Sequence, residues 1–273
     1  MIRIAPSQIL ALFWVFTNAL PFHVIASEDS YMSRTALDRY GDSVQLKHAR
    51  EAGLKHGRLV VAAQAADAVV VVSVHHPQTW SKSETTPMVH PVWLGQNSNN
   101  PPIGLVCSGV KADASWLLRA VRNHHQQTWE RYDQDNPSPE RLKEAMVQVL
   151  LSFMGYSRSR EFRDATGLGT EDDPWARPLG VTSMIVTAGS PALLVQPSGA
   201  SEKFVACAIG KNSQEVNEAL KERTRPNTSV EETTQLLLSI LRDTVHANEY
   251  AVVLVETIST NGIERKTVPL NSG

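Results

Sequence analysis

Two kinds of hydrophobic spacing alternate along this chain and divide it into strands and helices. Short, continuous apolar runs rich in β-branched residues predict strands buried on both faces. These runs are 59–63, 68–74, 103–107, 181–187, 192–196, 203–209 and 250–258, with a further short strand within 88–94. Only Ala65-Ala66-Asp67 separates the first two runs, which therefore predict a tight pair of strands.

In other segments the apolar residues recur every three or four positions, which is typical of a helix that packs one face on a sheet. The clearest stripe comprises Leu142, Ala145, Met146, Val149, Leu150 and Phe153. Helix start signals precede this and three other segments. They are Ser138-Pro139-Glu140, Asp113 for a helix to about Tyr132, Ser213 for a short helix, and the capping box of Ser229 and Glu232. A further helix is predicted over 45–55.

The order of these elements predicts the fold class. Strands are followed by two helices, more strands, two more helices and a last strand. Hairpins interrupted by pairs of helices predict stacked, mainly antiparallel sheets covered by helices, an α+β fold. A charged span at 157–176 lacks an apolar stripe and predicts an inserted, exposed polar loop. Its replacement by a short connector should cost little stability, because loop-closure entropy depends weakly on length.

The first 26 residues differ in kind from the rest. Arg3 is a positive flank, 9–16 is an apolar stretch, and Val24-Ile25-Ala26 is a small-residue site before Ser27. This pattern predicts a cleaved signal peptide at 1–26 and entry into the secretory pathway, or an organelle reached through it, for residues 27–273. The stretch is too short to span a bilayer, so stable membrane anchoring is not expected. A helix buried in the core and a misassigned chain start are the alternatives.

Composition and residue spacing disfavour several classes of partner and site. A formal net charge of −2 disfavours nucleic acid as a partner, because phosphate binding needs concentrated Lys and Arg. Cys107 and Cys207 are the only cysteines and lie in apolar segments, where they are interpreted as buried thiols. The neighbouring histidine pairs, 75–76 and 124–125, point to different faces and are not chelates by spacing. No metal or cofactor is therefore expected.

One serine invites a catalytic interpretation. Ser108 and Gly109 stand where a strand is predicted to become a helix, as a nucleophile elbow would. That motif reads Gly-x-Ser-x-Gly, and here Val106 and Val110 occupy both glycine positions. Small residues at a tight turn, which let the backbone turn and the helix pack closely, are the preferred interpretation.

Three stretches of the chain, taken together in their order and spacing, resemble motifs of the α-type subunits of the proteasome core particle. They are Ser108-Gly109 before Asp113-Ala114, Arg177-Pro178-Leu179-Gly180 before a strand, and Gln196-Pro197-Ser198-Gly199 before Ala208-Ile209-Gly210. The likeness runs from about Tyr31 to the C-terminus. Each motif alone is weak, but the ordered set is specific.

The N-terminal motifs are similar but altered. Tyr31 and Arg34 match the family's Tyr-Asp-x-Arg tail, with Met32 in place of the acid. Gly41 and Gln45 match a Gly-Arg-Leu-x-Gln-Val-Glu-Tyr-Ala segment in which Lys47 and His48 replace glutamate and tyrosine, and 38–40 replaces a Phe-Ser-Pro turn. In the family these residues form the gate and hold it open, so this gate departs from the family pattern.

The resemblance implies a four-layer αββα sandwich, the N-terminal-nucleophile hydrolase fold. In that fold a processed Thr, Ser or Cys opens the first strand. Here Arg58 stands near that position, Val74 falls where a supporting aspartate is expected, and no lysine lies between Lys82 and Lys111. The resemblance thus implies a noncatalytic ring subunit that contacts α-type and β-type subunits and an activator. It places the helix from Gln45 in the interface between α-type subunits.

Two other functions stay open. A stand-alone pseudo-subunit or binding module on the same fold would account for the altered N-terminal motifs and the signal-like segment. An active N-terminal-nucleophile amidohydrolase would need a nucleophile at the first strand, which is absent, and is disfavoured. Ordinary subunits of the family imply a second localisation, in the cytoplasm and nucleus.

Overall fold

The computed structural model describes residues 37, 42–75, 86–94, 101–132, 138–154, 177–225, 227–245 and 252–268. The chain divides into two compact units, 1–45 and 46–273. In the first, Leu37 and Ser43 form an isolated antiparallel bridge. The predicted signal segment at 1–26, the motif residues Tyr31, Arg34 and Gly41, and the predicted loop at 157–176 lie outside the described residues.

Ten strands and five helices are found among the described residues. The strands are β1 (Val60–Gln64), β2 (Ala68–His75), β3 (Val89–Trp93), β4 (Ile103–Gly109), β5 (Val181–Thr187), β6 (Ala192–Val195), β7 (Ser201–Phe204), β8 (Ala206–Ile209), β9 (Val252–Ser259) and β10 (Gly262–Val268). The helices are α1 (Val44–His56), α2 (Lys111–Tyr132), α3 (Pro139–Phe153), α4 (Ser213–Arg223) and α5 (Val230–Thr244). None of these helices combines the length and apolarity needed to cross a membrane.

The strands form two antiparallel sheets of five strands each. The first sheet has the order β10-β9-β2-β1-β8, and the second has the order β3-β4-β5-β6-β7. Strands β1 and β2 pair from Val60 with Ser73 to Gln64 with Val69. The predicted tight pair of strands is therefore confirmed.

Three apolar layers hold these elements together. Alternate residues of the first sheet, including Val61, Val70 and Val72, pack under α4 and α5, and Leu237 and Ile240 of α5 belong to the same layer. Residues of the second sheet, including Leu105 and Ile185, pack under α2 and α3, and the same layer includes Leu117 of α2 and Met146 and Val149 of α3. The remaining strand faces pack between the sheets, including Val60, Val69, Val71, Val106 and Met184. The predicted αββα sandwich is confirmed, and β2 is buried along its whole length because both of its faces are covered.

The structure confirms two of the predicted helix caps. Ser138 precedes α3, and its hydroxyl accepts a hydrogen bond from the Arg141 N–H at 3.3 Å. Ser229 and Glu232 form a reciprocal capping box at the start of α5, with both hydrogen bonds at 3.2 Å. Each cap satisfies backbone donors that the first helical turn leaves open.

The predicted strand at 203–209 is two strands in different sheets. Residues up to Phe204 form β7 at an exposed edge of the second sheet, whereas residues from Ala206 form β8 beside β1 in the first sheet. Between them Val205 is a bend and is 40% exposed. A continuous run of residues compatible with strand structure carries no signal that the chain changes sheets.

The chain also has a strand after the one predicted to be last. β10 forms a hairpin with β9, closed by Asn261 and by Gly262, whose φ is 135°. Four of its seven residues are exposed, so it lacks the apolar run that marked the other strands. The Asn-Gly pair is a hairpin signal that could have identified it.

Candidate functional site

The ends of both sheets meet at one point, where β1 begins and β4 and β8 end. The residues there, referred to as the junction, are Gly57, Arg58, Ser108, Gly109 and Gly210. The Ser108 hydroxyl donates a hydrogen bond of 2.6 Å to the Arg58 carbonyl, and the Lys211 N–H donates one of 3.0 Å to the Gly57 carbonyl. The first bond joins the two sheets, because Arg58 precedes β1 and Ser108 lies in β4.

Glycine is required at three places in the junction, and a Cβ atom on Gly109, whose φ is +139°, would lie 2.1 Å from the Gly180 carbonyl oxygen. A Cβ atom on Gly57 would lie 2.3 Å from Ser108 Oγ. A Cβ atom on Gly210, whose φ is +94°, would lie 2.0 Å from the Arg58 carbonyl oxygen. The backbone of these glycines therefore lies closer to the Ser108 hydroxyl and to the Arg58 and Gly180 carbonyls than a residue with a Cβ atom would allow.

Ser108 is enclosed rather than presented to solvent. It is 2% exposed, and its hydroxyl hydrogen is committed to the Arg58 carbonyl instead of to a base. Ser108 and Gly109 are also not in the turn as predicted, because β4 continues through them and pairs them with Thr182 and Val181. This geometry gives Ser108 a hydrogen bond that joins the two sheets.

Asp113 extends the junction to the start of β5. Its carboxylate accepts two hydrogen bonds from the Arg177 guanidinium, at 2.7 and 2.8 Å, and one from the Gly180 N–H at 2.9 Å. Arg177 also donates to the Pro178 carbonyl at 3.0 Å, and the Gly180 carbonyl accepts from the Val110 N–H at 2.9 Å. The structure therefore brings together Asp113, Arg177, Pro178 and Gly180 next to Ser108 and Gly109.

The predicted role of Asp113 needs a correction. It is the third residue of α2 rather than the residue before it, so the backbone N–H that it accepts belongs to another segment. Burial alone would raise the pKa of Asp113, but the bonds from Arg177 and Gly180 and the guanidinium charge outweigh burial and lower it. The hydrogen bonds to Asp113 raise the pKa of Arg177 in turn.

The third sequence motif lies in a separate hairpin. Pro197, Ser198 and Gly199 form the turn between β6 and β7, where the Gly199 N–H donates to the Gln196 carbonyl at 2.9 Å. Gly199 faces Val147 of α3, and Ser198 Oγ accepts from the Ala200 N–H. Of this motif only Gly210, which follows β8, belongs to the junction. Gln45 is the second residue of α1 and is half-buried.

Arg58 occupies the position that the resemblance assigns to a nucleophile. Its side chain is half-buried, and Nη1 lies 3.4 Å from the Met88 sulfur just before β3. Burial lowers the pKa of Arg58. Val74, at the position of the expected aspartate, is buried in the apolar layer under α4 and α5.

Sequence reasoning missed Glu256, a fully buried carboxylate in β9. It accepts hydrogen bonds from the Met88 and Val89 N–H groups at 2.8 and 2.9 Å and from Arg265 Nε at 3.0 Å. Because Glu256 is in the first sheet and Val89 in the second, these contacts join the sheets. A lone glutamate within the apolar run at 252–258 was the available signal, because strand alternation places it on the same face as Ile258.

The remaining candidate groups are buried or solitary. Burial raises the pKa of the Cys107 thiol to about 11 and that of Cys207 to about 12, so both stay protonated at neutral pH. The His125 ring packs edge-on against Trp93, with centroids 6.5 Å apart. Among the described residues, no three His, Cys, Asp or Glu side chains are arranged to hold a metal ion.

Comparisons with known proteins match this framework. A family model described as "Proteasome subunit" matches residues 54–257. The chain is 28% identical over 89% of its length to "Proteasome subunit alpha type-5" of Trypanosoma brucei brucei, of which it covers 91%. It is 26% identical over 82% of its length to "Proteasome subunit alpha type-7" of Cicer arietinum, of which it covers 82%. It is 24% identical over 79% of its length to "Proteasome subunit alpha type-2" of Dictyostelium discoideum, of which it covers 83%.

Proposed function

The chain belongs to the proteasome subunit family, and from that membership we propose that it is a noncatalytic α-type subunit of a core particle ring. In this role it supports proteolysis by β-type subunits and catalyses no step itself. Its partners are the neighbouring α-type subunits, the β-type ring and an activator. The similarity to three α-type subunits over most of their lengths supports the α-type assignment.

The observation that carries the noncatalytic role is the start of β1. An N-terminal nucleophile needs a hydroxyl or thiol and a free amine on the same residue. Arg58 supplies neither, because its side chain is a guanidinium and α1 and Gly57 precede it in the chain. The hydroxyl of Ser108 donates its hydrogen bond to the Arg58 carbonyl. The junction thus supports a framework role.

Covalent labelling tests this role directly. The purified chain is incubated with a threonine-directed covalent proteasome inhibitor and then weighed by intact mass spectrometry. We expect no adduct and no hydrolysis of peptide amides. An assembled core particle containing β-type subunits, treated in parallel, provides the positive control. An adduct on this chain would overturn the noncatalytic assignment.

Ring membership is tested by native mass. Helix α1 presents an exposed face with Lys47, Arg50 and Lys55, and with Leu54 at 52% exposure, which suits a protein interface. The tagged chain, purified from its own cells without denaturation, should co-purify with α-type and β-type subunits. Recovery as a monomer alone would favour the second candidate, a stand-alone pseudo-subunit. The exposed Lys47 and His48, which replace the family's glutamate and tyrosine, favour that candidate.

We further propose that residues 1–26 direct the chain into the secretory pathway and are removed near Ala26. The apolar stretch and small-residue site in the sequence support this proposal. A reporter fused to residues 1–26 should enter that pathway and lose the segment. A cytoplasmic and nuclear reporter that retains Met1 would show instead that the chain follows the localisation of ordinary subunits.

A further inference from the structure

Arg58 differs from the other arginines that hold the junction and the sheets together. Arg177 is paired with Asp113 at 2.7 Å, and Arg265 is paired with Glu256 at 3.0 Å. Among the described residues no carboxylate lies within 4 Å of Arg58, and the hydrogen-bond acceptor of its side chain is the Met88 sulfur at 3.4 Å. A thioether is a weak, uncharged acceptor, so most of the five guanidinium donors have no strong partner within the part of the chain that the structure describes.

An unpaired cation in this position is costly. The side chain is half-buried between β1 and the residue before β3, so part of the hydration of the guanidinium is lost. A charge removed from water is normally compensated by a paired, hydrogen-bonded opposite charge. A bound anion would supply that compensation.

The described polar groups around Arg58 are already hydrogen-bonded or paired with other partners. Val60 pairs with Ser73, and the Val74 N–H donates to the Leu59 carbonyl, so the same register places Arg58 opposite His75. Ser73 Oγ and His75 Nε2 lie 2.9 Å apart and satisfy each other. The nearby carboxylate of Glu256 is already bound by Arg265 and two backbone N–H groups.

We propose that Arg58 is the centre of an anion-binding site that takes a carboxylate, from a small carboxylic acid or from a peptide C-terminus. The planar fork of a guanidinium matches the two oxygens of a carboxylate and allows a bidentate pair. A carboxylate carries one negative charge, which balances the charge of Arg58, a cation without a carboxylate partner among the described residues. A phosphate dianion would need a second free cation, and Arg265 is already paired with Glu256. The site does not depend on whether the chain joins a ring.

The test is a calorimetric titration of the purified full chain at constant ionic strength. The probes are acetate, N-acetyl-trialanine with a free C-terminal carboxylate, the same peptide as its amide, and inorganic phosphate. We expect saturable binding of a carboxylate, no binding of the amide and weaker binding of phosphate. Binding of acetate but not of the peptide would identify a small carboxylic acid as the source of the carboxylate. Binding of the peptide but not of acetate would identify a peptide C-terminus. Tighter binding of phosphate, or no saturable carboxylate binding, would overturn the proposal.

Variants assign the binding to Arg58. Arg58→Gln should lower carboxylate affinity roughly ten- to hundredfold, the usual effect of losing one charge-assisted hydrogen-bonded pair. Arg58→Lys, which keeps the charge but not the fork, should lie between this variant and the wild type. Arg225→Gln removes an exposed arginine elsewhere and should bind as the wild type does. Unchanged affinity in Arg58→Gln would overturn the assignment.

A second measurement covers the case in which Arg58→Gln does not fold. Arg58→Met replaces the guanidinium with an apolar side chain of similar length that can pack on Met88. Replacing chloride with acetate at fixed ionic strength should raise the Tm of the wild type and of Arg225→Gln, but not that of Arg58→Met. Equal shifts in all three proteins would show that acetate does not act through Arg58.

Discussion

Two buried carboxylates, Asp113 and Glu256, hold distant segments together in different ways. Asp113 is 4% exposed and is held mainly by charge, with two bonds from Arg177 and one backbone N–H. Glu256 is 0% exposed and is held mainly by backbone, with two N–H donors and one bond from Arg265. Asp113 ties α2 to β5, whereas Glu256 ties one sheet to the other. The contact at Asp113 therefore depends mainly on charge, whereas the contact at Glu256 depends mainly on the position of a hydrogen-bond acceptor.

The largest effect should come from removing the acceptor at Glu256. Glu256→Leu leaves the Met88 and Val89 N–H groups without their side-chain acceptor, and we expect a loss of about 3 kcal/mol in unfolding free energy. Arg265 is 41% exposed and can turn to water, which limits the cost. Urea unfolding measures this change, and Glu264→Leu on exposed β10 is the control. A loss below about 1 kcal/mol would show that the contact is not energetically important.

The amide variants distinguish charge from geometry at the two sites. Asp113→Asn keeps an oxygen for the Gly180 N–H but loses the bidentate ion pair, so we expect a loss of about 2 kcal/mol. Glu256→Gln keeps an acceptor for both N–H groups and should recover most of the stability that Glu256→Leu loses. If Glu256→Gln is as unstable as Glu256→Leu, charge matters at both sites and the proposed distinction is wrong.

The contribution of Asp113 should depend on pH in a known direction. Its pKa is lowered below the ordinary value of 3.8, so the unfolded state binds the proton first as the pH falls. The stability advantage of wild type over Asp113→Asn is therefore complete above the unfolded pKa and is lost as pH falls through the lower folded pKa. Urea unfolding of both proteins at pH values from below to above the ordinary carboxyl pKa, roughly pH 2 to 6, measures this difference. A difference that stays constant over this range would contradict the ion-pair explanation.

A smaller effect is expected at Ser108. Ser108→Ala removes the 2.6 Å bond to the Arg58 carbonyl and should cost about 1 kcal/mol, as for a single neutral hydrogen bond. Ser115→Ala, which removes an exposed bond to the Lys111 carbonyl, is the matched control and should cost less. Equal losses of unfolding free energy would indicate that the enclosure of Ser108 in the junction adds nothing to the strength of its hydrogen bond.

The smallest effect is a thiol reaction that should not occur in the folded protein. Cys107 neighbours Ser108 in β4, and burial raises its pKa to about 11, so iodoacetamide should leave it unmodified at pH 8. Mass spectrometry of the wild type and of Asp113→Asn would show whether loosening the junction exposes this thiol. Rapid labelling of Cys107 in the folded wild type would contradict the buried position.

The sequence by itself determined the features that arise from neighbouring residues. The caps at Ser138 and Ser229 and the buried run of β2 were predictable because they depend on hydrogen bonds or spacing within a few positions. The small residues Ser108 and Gly109 predicted a strand-to-helix turn, whereas β4 continues through both of them. The Arg177 motif was identified through its resemblance rather than through its partner.

Only the tertiary structure decided which distant groups meet. Asp113 binds the Gly180 N–H 67 residues away, and Glu256 binds the Met88 N–H 168 residues away. The division of 203–209 between two sheets, with its bend at Val205, likewise depends on which strands lie on either side. Local pattern cannot specify such partners, because a buried acid or a short strand is compatible with many of them until packing brings two segments together.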